Sequence, residues 1–287
     1  MSNHGIHIRT LPQLEKPLLI AGFEGWGNAL KISSGMAAYL IRKLKAQQFA
    51  TINPDSFYRF DEARPMVKIE EGLLKQVTPP GGSFYASQTD LEQKDVVILK
   101  ADEPSLNWYQ FIDEMFFLCR ELGVETIITL GSMYDNVLHT DRVISGIAST
   151  EELVAYLNEK NINSISYQGP SAIHSIIQLE GPKKGFKCIS LWSHCPFYLQ
   201  GTTHFGILSH LGSILATMGD FELDTTDLED SWKRLNEQIQ ELVKNNAEIQ
   251  NIISELRKSK VRGSAADMRG AVKDEKVINI EDFLDPK

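Results

Sequence analysis

Cysteine is scarce in this chain, and the shortage closes several chemistries. Cys119, Cys188 and Cys195 are odd in number and show no Cys-x-x-Cys spacing. That excludes a disulfide framework and predicts reduced thiols in a cytoplasmic protein. His139, His174, His194, His204 and His210 contain no His-x-x-x-His pair, so no metal site is read. Neither Gly-x-Gly-x-x-Gly nor Gly-x-x-x-x-Gly-Lys-Ser/Thr occurs, and no cofactor is expected. Positive charge is in deficit, with 29 Lys and Arg against 38 Asp and Glu and a net charge of −9. Without a basic stripe, nucleic acid is excluded as a partner. No apolar run approaches the ~20 residues needed to span a bilayer, so a membrane is excluded too. The first residues, Met1 to Lys16, lack the apolar centre of a signal peptide.

What is present is an ordinary globular composition, 42% hydrophobic and 23% charged over 287 residues, enough to bury a large core. Short apolar runs alternate with helix-period segments. Leu18–Ala21, Asp95–Leu99, Thr126–Leu130 and Phe186–Leu191 read as core strands, and Ile165–Tyr167 as extended chain. Ala29–Leu44, Trp108–Leu122, Glu151–Leu157, Ile173–Leu179 and Phe205–Met218 read as helices. This alternation predicts an α/β fold with a mostly parallel sheet covered on both faces, over residues 1–220. A hairpin insertion is expected at about 64–82, where Met66-Val67-Lys68-Ile69-Glu70 partly alternates and Gly72 can turn. A helical extension follows at 221–258, and a charged, mobile tail at 259–287.

The most informative stretch is Pro17–Leu30. Its apolar strand stops at Gly22, a helix begins near Asn28, and three glycines, Glu24 and Trp26 lie between them. A glycine-rich strand-to-helix turn falls at the carboxyl edge of an open sheet, where such folds bind ligands. Glu24, Trp26 and Asn28 are therefore candidate ligand-binding residues; Glu24 and Trp26 equally suit a plug over the sheet edge. His139, Asp141 and Arg142 concentrate three ionisable groups on the loop after the Thr126 strand. They suit an acid/base pair and an anion clamp, or a structural Asp–Arg pair. Gly131-Ser132 lacks a Gly-x-Ser-x-Gly elbow, so Ser132 is read as a turn or cap residue. His194 and Cys195 are adjacent on extended chain and point in opposite directions, which disfavours a Cys–His nucleophile. No catalytic residue is assigned.

In the extension, Trp232, Ile239, Asn246 and Ile253 recur every seven residues, interleaved with Leu235, Leu242, Ile249 and Leu256. This is an a/d seam with one asparagine at an a position. Gln238, Asn245, Asn236 and Gln250 leave the flanks uncharged, while Val243 and Ile252 widen the stripe. Packing on the chain's own domain is one reading of such a stripe. Self-association or partner binding through Trp232, Leu235, Ile239, Leu242, Asn246, Ile249 and Ile253 is the other.

Taken in order, several segments resemble the proteasome assembly chaperone 2 family. They are Gly22-Phe23-Glu24-Gly25-Trp26-Gly27-Asn28-Ala29, Leu138-His139-Thr140-Asp141-Arg142, Tyr167-Gln168-Gly169-Pro170, Ser190-Leu191-Trp192 and Pro196-Phe197-Tyr198. The resemblance implies a three-layer αβα fold like that of purine nucleoside phosphorylases. It also implies a homo-oligomer, with a trimer as the leading expectation, and proteasome subunits or another protein as partners. The chain departs from the family pattern at Gly27 and Asn28, where Asn-Asp is usual. It also ends Asp285-Pro286-Lys287 in place of a hydrophobic-Tyr-any tail, although Phe283-Leu284 offers a different docking element. The expected function is a non-enzymatic assembly chaperone or scaffold. The alternative is a small-ligand binder or nucleosidase/phosphorylase-like enzyme with a cleft at the carboxyl ends of the strands.

Overall fold

Six consecutive buried positions, Leu18 to Phe23, require cover on both sides of one strand. The computed structural model describes residues 5–88 and 94–261, and it provides that cover. Its strands are β1 (Ile6–Ile8), β2 (Leu18–Glu24), β3 (Gln47–Ile52), β4 (Met66–Glu70), β5 (Leu73–Thr78), β6 (Gly82–Ser87), β7 (Val96–Asp102), β8 (Thr126–Asp135), β9 (Ile144–Ala148), β10 (Asn163–Ser164) and β11 (Lys187–Pro196). Its helices are α1 (Ile32–Lys43), α2 (Pro54–Phe57), α3 (Trp108–Glu121), α4 (Glu151–Glu159), α5 (Ile173–Glu180), α6 (Phe205–Gly219), α7 (Thr226–Asn245) and α8 (Ala247–Val261).

Nine strands form one sheet in the order β1-β3-β6-β7-β2-β8-β11-β9-β10, and β4-β5 stand apart as a hairpin. The four central strands, β7, β2, β8 and β11, are mutually parallel. The flanks are not: β1, β3, β6 and β7 pair antiparallel, as do β11 and β9. The sheet is thus mixed: the expected parallel order holds at its centre and returns at one edge, where β10 pairs with β9. β3, β6 and β9 have weaker apolar patterns because they lie towards the edges. Ile165–Tyr167, expected to be extended, forms no strand; the short edge strand there is Asn163–Ser164.

Period-two alternation divides the core between the faces. Leu18 and Ile20 of β2 meet α1, α6, α7 and α8, with Met36, Leu40, Leu211, Leu215 and Ile239 fully buried. Leu19, Ala21 and Phe23 meet α3 and α5 through Phe111, Met115 and Ile177. The result is a three-layer αβα arrangement. Gly22 permits the close approach of α1, since a Cβ there would stand 2.5 Å from the Ser33 carbonyl oxygen.

The heptad segment differs from one continuous seam. It folds as two helices, because Asn246 is extended (φ −125°, ψ 108°) and ends α7. Its Oδ1 accepts the Ile249 N–H at 3.2 Å, so Asn246 caps α8 instead of setting register from an a position. Trp232, Leu235, Ile239, Ile249 and Ile253 are buried in the same core as the sheet, and Leu242 is partly buried against it. From residue 262 onward the expected tail, including Phe283-Leu284, lies outside the described residues.

Candidate functional site at the carboxyl edge of the sheet

At the end of β2 the chain must turn within a few residues into α1, and four side chains organise that turn. The Phe23 N–H donates to Ser33 Oγ at 3.0 Å, and that hydroxyl donates to the Leu130 carbonyl on β8 at 2.6 Å. The Asn28 amide nitrogen donates to Glu24 Oε2 at 2.7 Å and to Ser34 Oγ at 3.0 Å. Asn28 Oδ1 accepts the Ser34 N–H in return. Glu24 and Asn28 are thus brought together, and the carboxylate holds the amide that orders the first turn of α1. Trp26 lies in the same turn with its ring in solvent. Its backbone N–H donates to Glu103 at 3.4 Å, whose other carboxylate oxygen accepts the Ile173 N–H at the start of α5. That places a carboxylate at a helix N-terminus, where it is favoured.

Leu30 and Lys31, between the turn and α1, both have left-handed backbone (φ 50° and 54°). Two successive non-glycine residues there store strain of about 1 kcal/mol or more each. They border a groove of about 690 Å³ lined by Asn28, Leu30, Lys31, Tyr134 and the run 200–203. Asn28 is the one predicted ligand-binding residue in that lining.

The other three predicted residues serve a different part of the molecule. His139 is buried. Its N–H donates to the Tyr198 hydroxyl at 2.6 Å, and its Nδ1 lies 2.9 Å from the same oxygen. Burial lowers the His139 pKa, which favours the neutral imidazole. Asp141 Oδ2 accepts the Leu138 N–H at 3.0 Å, closing the loop on itself. Arg142 makes a two-pronged pair with Glu229 of α7, at 2.6 and 2.9 Å. The His139 loop therefore braces α7.

His204 completes that brace, and its role was not legible from spacing. Nδ1 accepts the Ile207 N–H at 3.2 Å, so Nε2 carries the proton that reaches the His139 carbonyl at 3.0 Å. The ring stacks on Trp232 at 4.5 Å, and burial drives its pKa down to about 4.

A further constellation was missed because its members lie on three strands. His194 Nδ1 is 2.7 Å from Asp135 Oδ2, and its Nε2 is 2.9 Å from Ser145 Oγ. The hydrogen bond from His194 lowers the Asp135 pKa. The connectivity is that of a Ser-His-Asp relay. Ser145, however, is only 1% exposed, so no substrate carbonyl reaches its hydroxyl, and the three residues act as a polar staple across β8, β11 and β9. Cys195 is buried on the opposite face, with its thiol pushed up to about 12 by desolvation. Among the described residues no cluster of three or more His, Cys, Asp or Glu could hold a metal ion. None of the described helices is long and apolar enough to cross a membrane.

The fold and this edge define an α/β sheet protein whose turn and loop side chains are engaged in bracing the helices. The PAC2 family model matches residues 19–243, and the chain belongs to that family. A PAC2 family protein from Streptomyces avermitilis is similar at 27% identity and a TM-score of 0.73, over 83% of this chain and 99% of that one. A proteasome-assembly chaperone homologue from Mycobacterium tuberculosis is similar at 22% identity and a TM-score of 0.74, over 82% and 99%. An archaeal proteasome activator from Pyrococcus furiosus is similar at 20% identity and a TM-score of 0.65, over 83% and 97%. The last two likenesses establish the fold. A search of curated proteins finds no match.

Proposed function

We propose that this chain is a non-enzymatic assembly chaperone or scaffold that acts through protein–protein contacts in proteasome assembly. Membership of the PAC2 family carries the reading, and relatives of the same fold are described as a proteasome-assembly chaperone homologue and a proteasome activator. The engagement of Glu24, His139, Asp141 and Arg142 in structural hydrogen bonds supports it against an enzyme. The working form is a homo-oligomer in the reducing cytoplasm, with a trimer as the leading state. Affinity capture from the source organism, read by native mass spectrometry, tests the proposal. Stoichiometric proteasome subunits are expected. Recovery of the protein with a small ligand and no protein partner would overturn it.

That second outcome belongs to the rival reading, a small-ligand binder, which rests on the groove beside Asn28. The groove has a cation (Lys31), a phenol (Tyr134) and the Thr202 and Thr203 side chains in its lining, a set suited to a small anionic or polar ligand.

A further inference from the structure

Three segments are laced together beside the turn that ends β2. The Glu103 N–H donates to the Glu24 carbonyl at 2.7 Å, and the Ser105 and Leu106 N–H groups both donate to the Phe57 carbonyl. Ser105 Oγ accepts the Arg59 N–H at 2.7 Å, and the Asn107 amide donates to the Ser56 carbonyl at 2.9 Å. The Tyr58 hydroxyl donates to the Asp102 carbonyl at 2.8 Å. Residues 24–28, 53–64 and 102–109 therefore share one hydrogen-bonded frame. On it Trp26 is 63% exposed, Tyr109 60%, and Phe60 and Leu106 37% each. Glycines fix the position of Trp26. A Cβ on Gly25, at φ 143°, would stand 2.8 Å from the Glu103 side chain, and one on Gly27 would stand 3.1 Å from the Trp192 ring. The backbone is pressed against the body of the protein on both sides, and the indole between is held out in water.

The net charge of this frame is negative. Its segments hold Glu24, Asp55, Asp61, Glu62, Asp102 and Glu103 against Arg59 and Arg64. Glu24, Asp102 and Glu103 accept hydrogen bonds from the Asn28 amide and from the Gly81, Trp26 and Ile173 N–H groups. Those donors are neutral, so they fix the carboxylates and leave their charge standing. Arg59 already serves two carboxylates, Asp61 at 2.8 Å and Glu62 at 2.9 Å. Exposed aromatic rings rimmed by charge are the composition of an interaction surface.

We propose that this surface docks a basic segment of a partner protein, with an arginine side chain laid on the Trp26 ring. Charge complementarity selects this occupant. A guanidinium is drawn here twice, by the carboxylates and by the negative face of the indole, and its planar form stacks on the ring. A second copy presenting the same face would set carboxylates against carboxylates and is repelled. Residues 262–287 of this chain fit no better, since they hold five Lys and Arg against six Asp and Glu. The inference rests on the proposed function, a chain that works through protein contacts, and it adds where the partner docks and what the partner presents.

The test uses Trp26 as its own reporter, because Trp108 is half-buried and Trp192 and Trp232 are buried. The full chain is titrated with an amidated peptide alternating arginine and leucine, and with a twin carrying glutamate for arginine. Binding is followed by calorimetry and by acrylamide quenching of tryptophan fluorescence. The arginine peptide is expected to bind, to shield the indole, and to weaken as salt is raised. The glutamate twin is expected to do none of these. Trp26→Ala should weaken the arginine peptide about thirtyfold, as for loss of an interface anchor. Asp61→Asn/Glu62→Gln should weaken it up to about fivefold, as for exposed ion pairs. All three positions are exposed, and an unchanged urea midpoint confirms that each variant is folded. No binding of the arginine peptide, equal binding of the two peptides, or binding untouched by either variant overturns the inference. Capture of proteasome subunits is scored separately on wild type. Its failure counts against the proposed function, while the peptide series decides the surface.

Discussion

Two amphipathic segments of this protein have opposite fates. In α7 and α8 the apolar stripe that suggested an association seam is turned onto the sheet, with Ile239 fully buried and Trp232 stacked on His204. In β4–β5 an equally clear apolar face is left in solvent. Local pattern is the same kind of signal in both. What separates them is what lies opposite: α6 offers α7 a helix surface, and Arg142 anchors it through Glu229. The hairpin receives no such cover. The teaching is that amphipathicity announces that a face will be buried, and leaves open by whom.

The sharpest way to break this comparison is one substitution made in each segment. Ile239→Ala should cost about 2–5 kcal/mol of unfolding free energy, as for other large-to-small core changes. Ile69→Ala, at a position 62% exposed, should change stability by less than about 0.5 kcal/mol. Equal losses in urea unfolding would erase the distinction.

Acid should sharpen it next. His204 has a folded pKa of about 4, below the ~6.5 of an unfolded histidine. The unfolded state therefore takes up the proton first. Stability is fully present above about pH 6.5 and declines as pH falls towards 4. Between pH 7 and 5 the loss is on the order of 2 kcal/mol for this residue. His174, also held near 4 by burial, should add a similar slope from the α5 face. A His204→Gln variant should show a shallower slope; an unchanged slope would remove His204 from the account.

The smallest effect tests the break between the helices. Asn246→Ala should cost about 1 kcal/mol through loss of the α8 cap, with oligomeric mass unchanged. A change in mass would instead restore the register role read from the heptad.

Much of the fold was legible because its signals are local. The β2 run and the apolar periods of α1, α3 and α6 specify strand or helix from neighbours alone, and Gly72 marks the hairpin turn. β1, β3, β6 and β9 were not read, since edge strands need less apolar surface and gain their hydrogen bonds from distant partners. The candidate site divides in the same way. Glu24 and Asn28, four residues apart, were correctly placed in one turn. His194 stands beside Cys195 in sequence, while its partners, Asp135 and Ser145, lie 59 and 49 residues away, beyond the reach of any local spacing.

By itself, then, the sequence determined the alternation of strands and helices, the two-faced centre of the sheet and the turn that opens its carboxyl edge. Each follows from side-chain periodicity over less than about twenty residues. Only the tertiary structure decided the mixed strand order, the conversion of the heptad seam into two core helices, and the use of the His139 loop as a brace. It also decided that the hairpin's apolar face stays uncovered. These outcomes depend on which surfaces meet, and Arg142 reaches Glu229 across 87 residues of chain. Hydrophobic burial is non-directional, so a local pattern states the need for cover, and the fold supplies or withholds it.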